Sequence, residues 1–355
     1  MTELIKKSSS ILVPTVLLLL AAVFVTGGSS LLISIATITV IWAVLALGLN
    51  LLMGYSGLIN LGIGAFFAVG AYGAAILAEK FDTTPWLMLL LMPAAGFILG
   101  LILGPVVLRT RGLHFAVATL GIGIVVSDVL ENWVEVTKGP IGLAGIERPG
   151  EMHLGVTTLD PTRPADFFWV LSLILAVIIA GSLLFHRSRL AAVLIGARDD
   201  EMLAKSLGFS VTFQRILAFA LSCAVAAAAG VMYAWYIRYI SPPPFSFFLA
   251  SFPAFVLVAV GGPGSVWGPV LGAVFLTGFP ELVDVDASVM PIIYGAILLL
   301  VMVLLPKGLV PGSRDLASSF LARRRPSAHG VEADQPPTTP SGAVSSTRKV
   351  TSNDH

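Results

Sequence analysis

Long apolar runs, separated by short polar breaks or by breaks bearing glycine and proline, fill the chain up to about residue 305. Many reach about 18 residues or more, enough to cross a hydrocarbon core of roughly 30 Å as a helix. Inside lipid a helix satisfies its own backbone where an open strand does not, so each run reads as a membrane-spanning helix. The pattern predicts about ten spans, near 11 to 26, 31 to 52, 58 to 78, 86 to 108, 112 to 134, 167 to 185, 212 to 236, 247 to 261, 266 to 283 and 289 to 305. The last three carry Pro253, Pro269, Pro280 and Pro291. A proline within a span frees a carbonyl that a neighbouring helix or a water must satisfy. The first run has Lys6 and Lys7 ahead of it, as a secretory signal does. Residues 27 to 30 offer no small-x-small cleavage pattern and another span follows at once, so a retained helix is expected.

Composition sharpens this picture. Hydrophobic side chains make up 56% and charged ones 12%, with a mean hydropathy of +0.93, which excludes an ordinary water-soluble enzyme. The expected fold class is an all-α polytopic membrane protein. Net charge is only +1, and the single cysteine is Cys223, so neither nucleic-acid attraction nor an internal disulfide is indicated. Ten spans put both termini on one side. Sixteen of the 21 lysines and arginines fall there: Lys6, Lys7, Arg109, Arg111, Arg187, Arg189, Arg198, Lys205, Arg215 and seven beyond Pro306. Lys80, Lys138, Arg148, Arg163 and Arg238 fall on the other side. The basic side is the cytoplasmic one, so both termini are expected in the cytoplasm. After Pro306 serine, proline, threonine and arginine replace the large apolar residues, and residues 312 to 355 are expected to form a disordered cytoplasmic tail. Its Arg323, Arg324 and Arg325 would attract anionic lipid. The expected membrane domain, 1 to 311, includes a cytoplasmic loop at 186 to 211 and an extracytoplasmic loop at 135 to 166.

Reactive clusters are missing from this pattern. His114, His153, His186, His329 and His355 are scattered, without zinc-type spacing, and the chain has no Gly-Lys dipeptide and hence no Walker-type phosphate loop. Hydrolysis of ATP by this chain is therefore not expected, and no metal site is predicted. Few ionisable residues fall within spans, among them His114, Asp128, Glu131 and Glu281. Asp128 and Glu131 share a helix face, either as a polar lining or cation site, or as groups reaching water at the outer interface. No chain of carboxylates resembles a proton relay, which weighs against an ion-driven pump. Gly96, Gly100 and Gly104 recur every four residues, as do Gly268 and Gly272, a spacing that lets helix backbones approach closely.

The loop from 186 to 215 carries a different signal. Residues Asp199 to Leu207 can form two turns of helix, with Asp199, Asp200 and Glu201 at its start, Glu201 and Lys205 paired at i,i+4, and Gly208 as the stop. Met202, Leu203 and Leu207 share one face, so the helix can dock into a groove of a cytoplasmic partner.

The run RDDEMLAKSLG, with Glu201, Ala204 and Gly208 as its core, resembles the coupling loop of ATP-binding-cassette permeases. The surrounding chain is similar to the branched-chain amino-acid permease family. GLNLLMGYSGLINLGIGAFFAVGAY (48 to 72), RGLHFAVATLGIGIV (111 to 125), KGPIGLAGI (138 to 146) and GGPGSVWGPVLGA (261 to 273) follow that family's order across about residues 31 to 310. Three positions depart from the family pattern. Ile63 stands where histidine or glutamine is frequent, Ile124 where a carboxylate is frequent, and Ile141 where a polar residue is common. Each removes a polar contact from the pathway.

The resemblance implies a permease subunit that pairs with a second, related permease, two cytoplasmic ATPases that bind ATP and Mg, and an extracytoplasmic solute-binding protein. No cofactor is expected in this chain itself. Arg198, Asp199, Asp200, Glu201, Ala204, Lys205 and Gly208 would form the ATPase-coupling helix. Substrate-path candidates are Asn50, Tyr55, Ser56, Asn60, Gly62 and Gly64, whose exposed backbone could line a cavity; the other reading is a helix-helix turn at the interface. Gly261, Gly262, Gly264 and Gly268 are either a re-entrant hinge or a tight inner loop. Three functions stand open: an importer subunit for branched-chain or other neutral amino acids, an importer subunit for urea or short amides, and a secondary carrier working alone.

Overall fold

The computed structural model describes residues 29–283, except 82, 111, 155 and 156, together with isolated positions between 289 and 300. The expected span at 11 to 26 and the expected tail from 312 to 355 lie outside the described residues, and the span at 289 to 305 is described only at scattered positions. In chain order the helices are α1 (Ser30–Ser56), α2 (Ile63–Phe81), α3 (Pro85–Val107), α4 (Leu113–Asn132), the single turn α5 (Val134–Thr137), α6 (Pro164–His186), α7 (Arg189–Asp199), α8 (Glu201–Ser206), α9 (Val211–Ile237), α10 (Phe252–Gly261) and α11 (Trp267–Val283). Among the described residues six helices, α1 to α4, α6 and α9, are long and apolar enough to cross a membrane. Two shorter apolar segments, Phe247–Gly261 and Trp267–Thr277, follow them.

Helix α9 is the centre of the bundle, and the glycines explain how its neighbours reach it. A Cβ at Gly96 would stand 2.8 Å from the Cys223 carbonyl, one at Gly100 2.6 Å from the Ala220 Cα, and one at Gly104 3.2 Å from Ile216. The predicted four-residue stripe thus lies flat on α9. On α2, a side chain at Gly70 would collide with the Ala227 carbonyl, and one at Gly230 of α9 with the Phe67 carbonyl, so these two backbones cross in contact. Helix α1 reaches the same helix where Gly48 meets Ser222 and Val225.

Polar residues within the spans are satisfied locally. Thr37 Oγ1 donates to the Ile33 carbonyl at 2.6 Å and Thr39 Oγ1 to Ile35 at 2.7 Å. Thr39 also meets Thr277 of α11 hydroxyl to hydroxyl at 2.6 Å, a hydrogen bond between helices.

Two prolines of the last segments, Pro253 and Pro269, sit where they cost little. Pro253 opens α10 directly after a π-helical turn at Phe247–Ser251, and Pro269 lies in the first turn of α11, where the amide has no intrahelical partner to lose. Helices α10 and α11 form a hairpin whose backbones touch at glycines: Gly261 abuts Gly268, and Gly272 abuts the Leu257 carbonyl.

Two boundaries differ from expectation. The span expected at 58 begins at Ile63, because Gly57 takes a left-handed conformation (φ +70) and the chain runs irregularly to Gly62. The expected loop at 135 to 166 is structured: α5, a 3-10 turn at Gly139–Ile141, β1 (Leu143–Ala144), β2 (Met152–Leu154) and β3 (Thr157–Leu159). β1 pairs antiparallel with β4 (Tyr239–Ile240), Leu143 opposite Ile240, and β2 pairs with β3. At this β end the Arg148 guanidinium lies 4.3 Å above the Phe167 ring and donates to the Trp235 carbonyl at the end of α9 (3.4 Å). Burial, then the nearby Arg238 charge, push its pKa down from the usual arginine value. The opposite end carries α7 and α8.

Candidate functional site

Helix α1 ends at Ser56 because Gly57 returns its N–H to the Met53 carbonyl at 3.1 Å. The remaining late carbonyls need donors from elsewhere. Arg198 at the end of α7 supplies one, donating from Nη1 to the Gly54 carbonyl at 3.1 Å. One turn earlier on α1, Asn50 holds the α10–α11 turn by both ends of its amide. Its Oδ1 accepts from the Gly264 N–H at 2.9 Å and its Nδ2 donates to the Ser265 carbonyl at 3.0 Å. In that turn Gly262 and Gly264 take φ +105 and +84, which other residues rarely adopt. Gly54 lies against the Gly264 backbone so closely that a Cβ at 54 would collide with the Gly264 nitrogen. Tyr55 is buried, its hydroxyl 3.1 Å from His186 Nδ1 at the end of α6, and its ring meets Phe185 edge-on. Ser56 bonds to the Leu52 carbonyl of its own helix at 2.6 Å.

The irregular stretch that follows packs beside the interior of α4 rather than its end. Leu61 N–H donates to Thr119 Oγ1 at 3.0 Å, and a side chain at Gly62 would collide with the Thr119 carbonyl. Asn60 is fully buried. Its Oδ1 accepts from the Gly62 N–H at 3.0 Å, while Nδ2 has no hydrogen-bond partner among the described residues. Gly64 N–H donates to Ser251 Oγ at 2.9 Å, across to the π-helical turn. Irregular backbone at such a position is tolerated where protein groups or water answer it, and here Thr119 and Ser251 do.

The segment at 186 to 211 is two helices, where one was expected over 199 to 207. Ser188 caps α7, accepting from the Ala191 N–H at 3.2 Å, and that helix runs through Asp199. Asp200 is extended (φ −147, ψ 103) and caps α8 by accepting from the Leu203 N–H at 3.0 Å. Asp199 therefore closes one helix instead of opening the next.

Glu201 pairs as expected with Lys205 at 2.7 Å, and also with Arg215 of α9 at 3.0 Å. Ala204 is buried with Ala197 and Val211, which seats α8 on its neighbours. Gly208 (φ +85) ends it: its N–H reaches the Lys205 carbonyl and that of Phe209 the Ala204 carbonyl, the paired bonds of a Schellman stop. Met202, Leu203 and Leu207 are 80%, 58% and 67% exposed. These apolar side chains, beside a charged cluster pinned to α9, form an uncovered face.

The site thus joins residues far apart in sequence: Asn50 to Gly264 and Ser265, and Arg198 to Gly54. It does not bring Tyr55 or Ser56 to that turn. Thr119, Ser251, His186, Ser265 and Arg215 emerge as contacts that local patterns do not mark; Arg215 counted only as a topology charge. Of the three departures, Ile63 is buried, while Ile124 and Ile141 are exposed, as are His114, Asp128 and Glu131.

Against known proteins, the family model described as "Branched-chain amino acid transport system / permease component" matches residues 31–306. The chain belongs to this family. The permease is 35% identical over 308 residues to the LivM permease protein of the high-affinity branched-chain amino acid transport system of Salmonella typhimurium, covering 79% of this chain and 70% of that protein. The LivM protein of Escherichia coli is 34% identical with the same coverage. The LivH protein of the Salmonella typhimurium system is 24% identical over 76% of this chain and 91% of its own. With its six apolar helices, the permease is a multi-pass protein of the cell membrane.

Proposed function

We propose that this permease is a membrane-spanning subunit of an ATP-binding-cassette importer in the bacterial inner membrane, moving branched-chain or related neutral amino acids. Ten spans with both termini in the cytoplasm complete its topology. A second, related permease pairs with it, two cytoplasmic ATPases bind ATP and Mg, and an extracytoplasmic solute-binding protein delivers the substrate. The observation that carries this reading is α8: a short helix seated by Ala204, pinned through Glu201 to Arg215, and presenting Met202, Leu203 and Leu207 outward. Such a face suits the groove of a partner, and its rigid seat lets a push on it reach α9 and α1. Such a push changes the transport state only where the segment is held differently in the two states. Asn50, Asn60, Gly62 and Gly64, with Tyr55 and Ser56 beside them, are proposed to border the substrate path, and the turn at Gly261, Gly262, Gly264 and Gly268 to take part in gating.

The test is purification of the tagged chain from native membranes in mild detergent, with identification of bound proteins and uptake of labelled leucine and labelled urea in a deletion strain. Two Walker-type ATPases, a sister permease and leucine uptake are expected. Urea uptake with the same partners would move the substrate to short amides. A chain that purifies alone and still transports would overturn the importer reading in favour of a secondary carrier.

A further inference from the structure

We propose that Arg198 and Asn50 form a latch that ties the α7–α8 segment to the tip of the α10–α11 hairpin through the last turns of α1. Three placements carry it. The Arg198 guanidinium bonds to the Gly54 carbonyl, and its aliphatic stem lies along Gly57, where a Cβ would be 3.4 Å from it. The backbone of the same Gly54 rests directly on Gly264 of the tip. One turn back, Asn50 grips Gly264 and Ser265 with its acceptor and its donor together.

Among the described residues, the side-chain hydrogen bonds to this turn both come from Asn50. Glycines at 262 and 264 let the turn take its left-handed backbone around Pro263, and the tip follows what grips it at Gly264 and Ser265. Helix α1 spans the gap as a rigid body, since Asn50 and Gly54 lie one turn apart on one face. A displacement of α7 is therefore handed to the hairpin, and in this role Arg198 and Asn50 act as positioning residues for transport. The use of the latch in energy coupling rests on the importer reading; the latch itself does not.

Hydrogen exchange, read by mass spectrometry on peptides covering 258 to 268 of the purified full-length protein with its bound subunits, tests it. Asn50→Ala is expected to speed exchange at the tip about tenfold. Arg198→Ala should speed it about threefold, Arg198→Lys less, and the double variant no more than Asn50→Ala alone. Exchange over 216 to 234 of α9 should stay at its wild-type rate, which general loosening would not allow. Wild-type exchange at the tip in Arg198→Ala, or an equal rise throughout α9, would overturn the latch. Solute moved per ATP hydrolysed, measured with the recovered ATPases, should fall about threefold in Arg198→Ala, whereas an unchanged ratio would remove the latch from coupling. Failure to recover any ATPase would count against the importer reading, and exchange at the tip would still decide the latch.

Discussion

Single side chains at the α7–α8 end show how unequal neighbouring contacts can be. Glu201 holds Lys205, a half-exposed i,i+4 pair, and Arg215, whose side chain is only 15% exposed. Exposed ion pairs contribute between nothing and about 1 kcal/mol, so the Arg215 contact is the larger of the two. Glu201→Gln should cost about 1 kcal/mol of thermal stability in detergent, and Lys205→Ala no more than a few tenths, about the worth of an i,i+4 pair. Equal effects would mean that the helix pair alone matters. At the β end, the Thr162 hydroxyl and amide both donate to Asp160 Oδ1, at 2.7 and 3.0 Å, and hold that carboxyl below the usual carboxylate range. A depressed folded-state value adds stability above the unfolded pKa and loses it as pH falls through the folded one. Thr162→Val, which removes the larger contribution, should raise the Asp160 midpoint toward the ordinary value. A carbon-labelled aspartate titration followed by NMR would detect it, and an unmoved midpoint would leave the hydroxyl without a role.

Helices in this bundle approach closely at glycines and pack apolar side chains around those points, and hydrogen bonds between helices are few among the described residues. Thr39 and Thr277 bond across α1 and α11, yet each also bonds within its own helix, so the interhelical share is small. Thr277→Val should cost about 0.6 kcal/mol. Gly70→Val inserts a side chain where α2 and α9 touch backbone to backbone and should cost about 3 kcal/mol, read as a large drop in melting temperature. Comparable melting points for the two would refute this ranking. Helix α8 depends on its ends. Gly208 has open space around it, so Gly208→Ala meets only the cost of the left-handed backbone, about 1 kcal/mol. The stripe at Gly96, Gly100 and Gly104, the Glu201 to Lys205 pair and the Gly208 stop were legible beforehand because each depends on a local periodicity. The break at Asp200 was not, since aspartates suit both the interior of a first helical turn and the cap before it.

At the scale of the whole molecule, the basic residues predict an orientation, and the chain carries its own means of testing it. Cys223 is its single cysteine and is fully buried on α9 against α3, so a new cysteine reports alone. With cytoplasmic termini, a polar maleimide should label Met202→Cys in inside-out vesicles and Lys138→Cys in right-side-out ones; the reverse pattern would invert the topology. Hydropathy and periodicity along the chain determined its class as a helical membrane protein, most span positions and the helix faces that pack through glycine. These follow from the demand that lipid-facing backbone satisfy itself within a helix and from spacings of three to four residues. Tertiary structure alone decided that Asn50 clamps Gly264, that Arg198 answers the Gly54 carbonyl, that Thr119 and Ser251 support the start of α2, and that Tyr55 turns to His186. Each of those pairs is separated by tens to hundreds of residues. A polar group's partner is set by which groups folding brings within about 3 Å, and no local spacing encodes that distance.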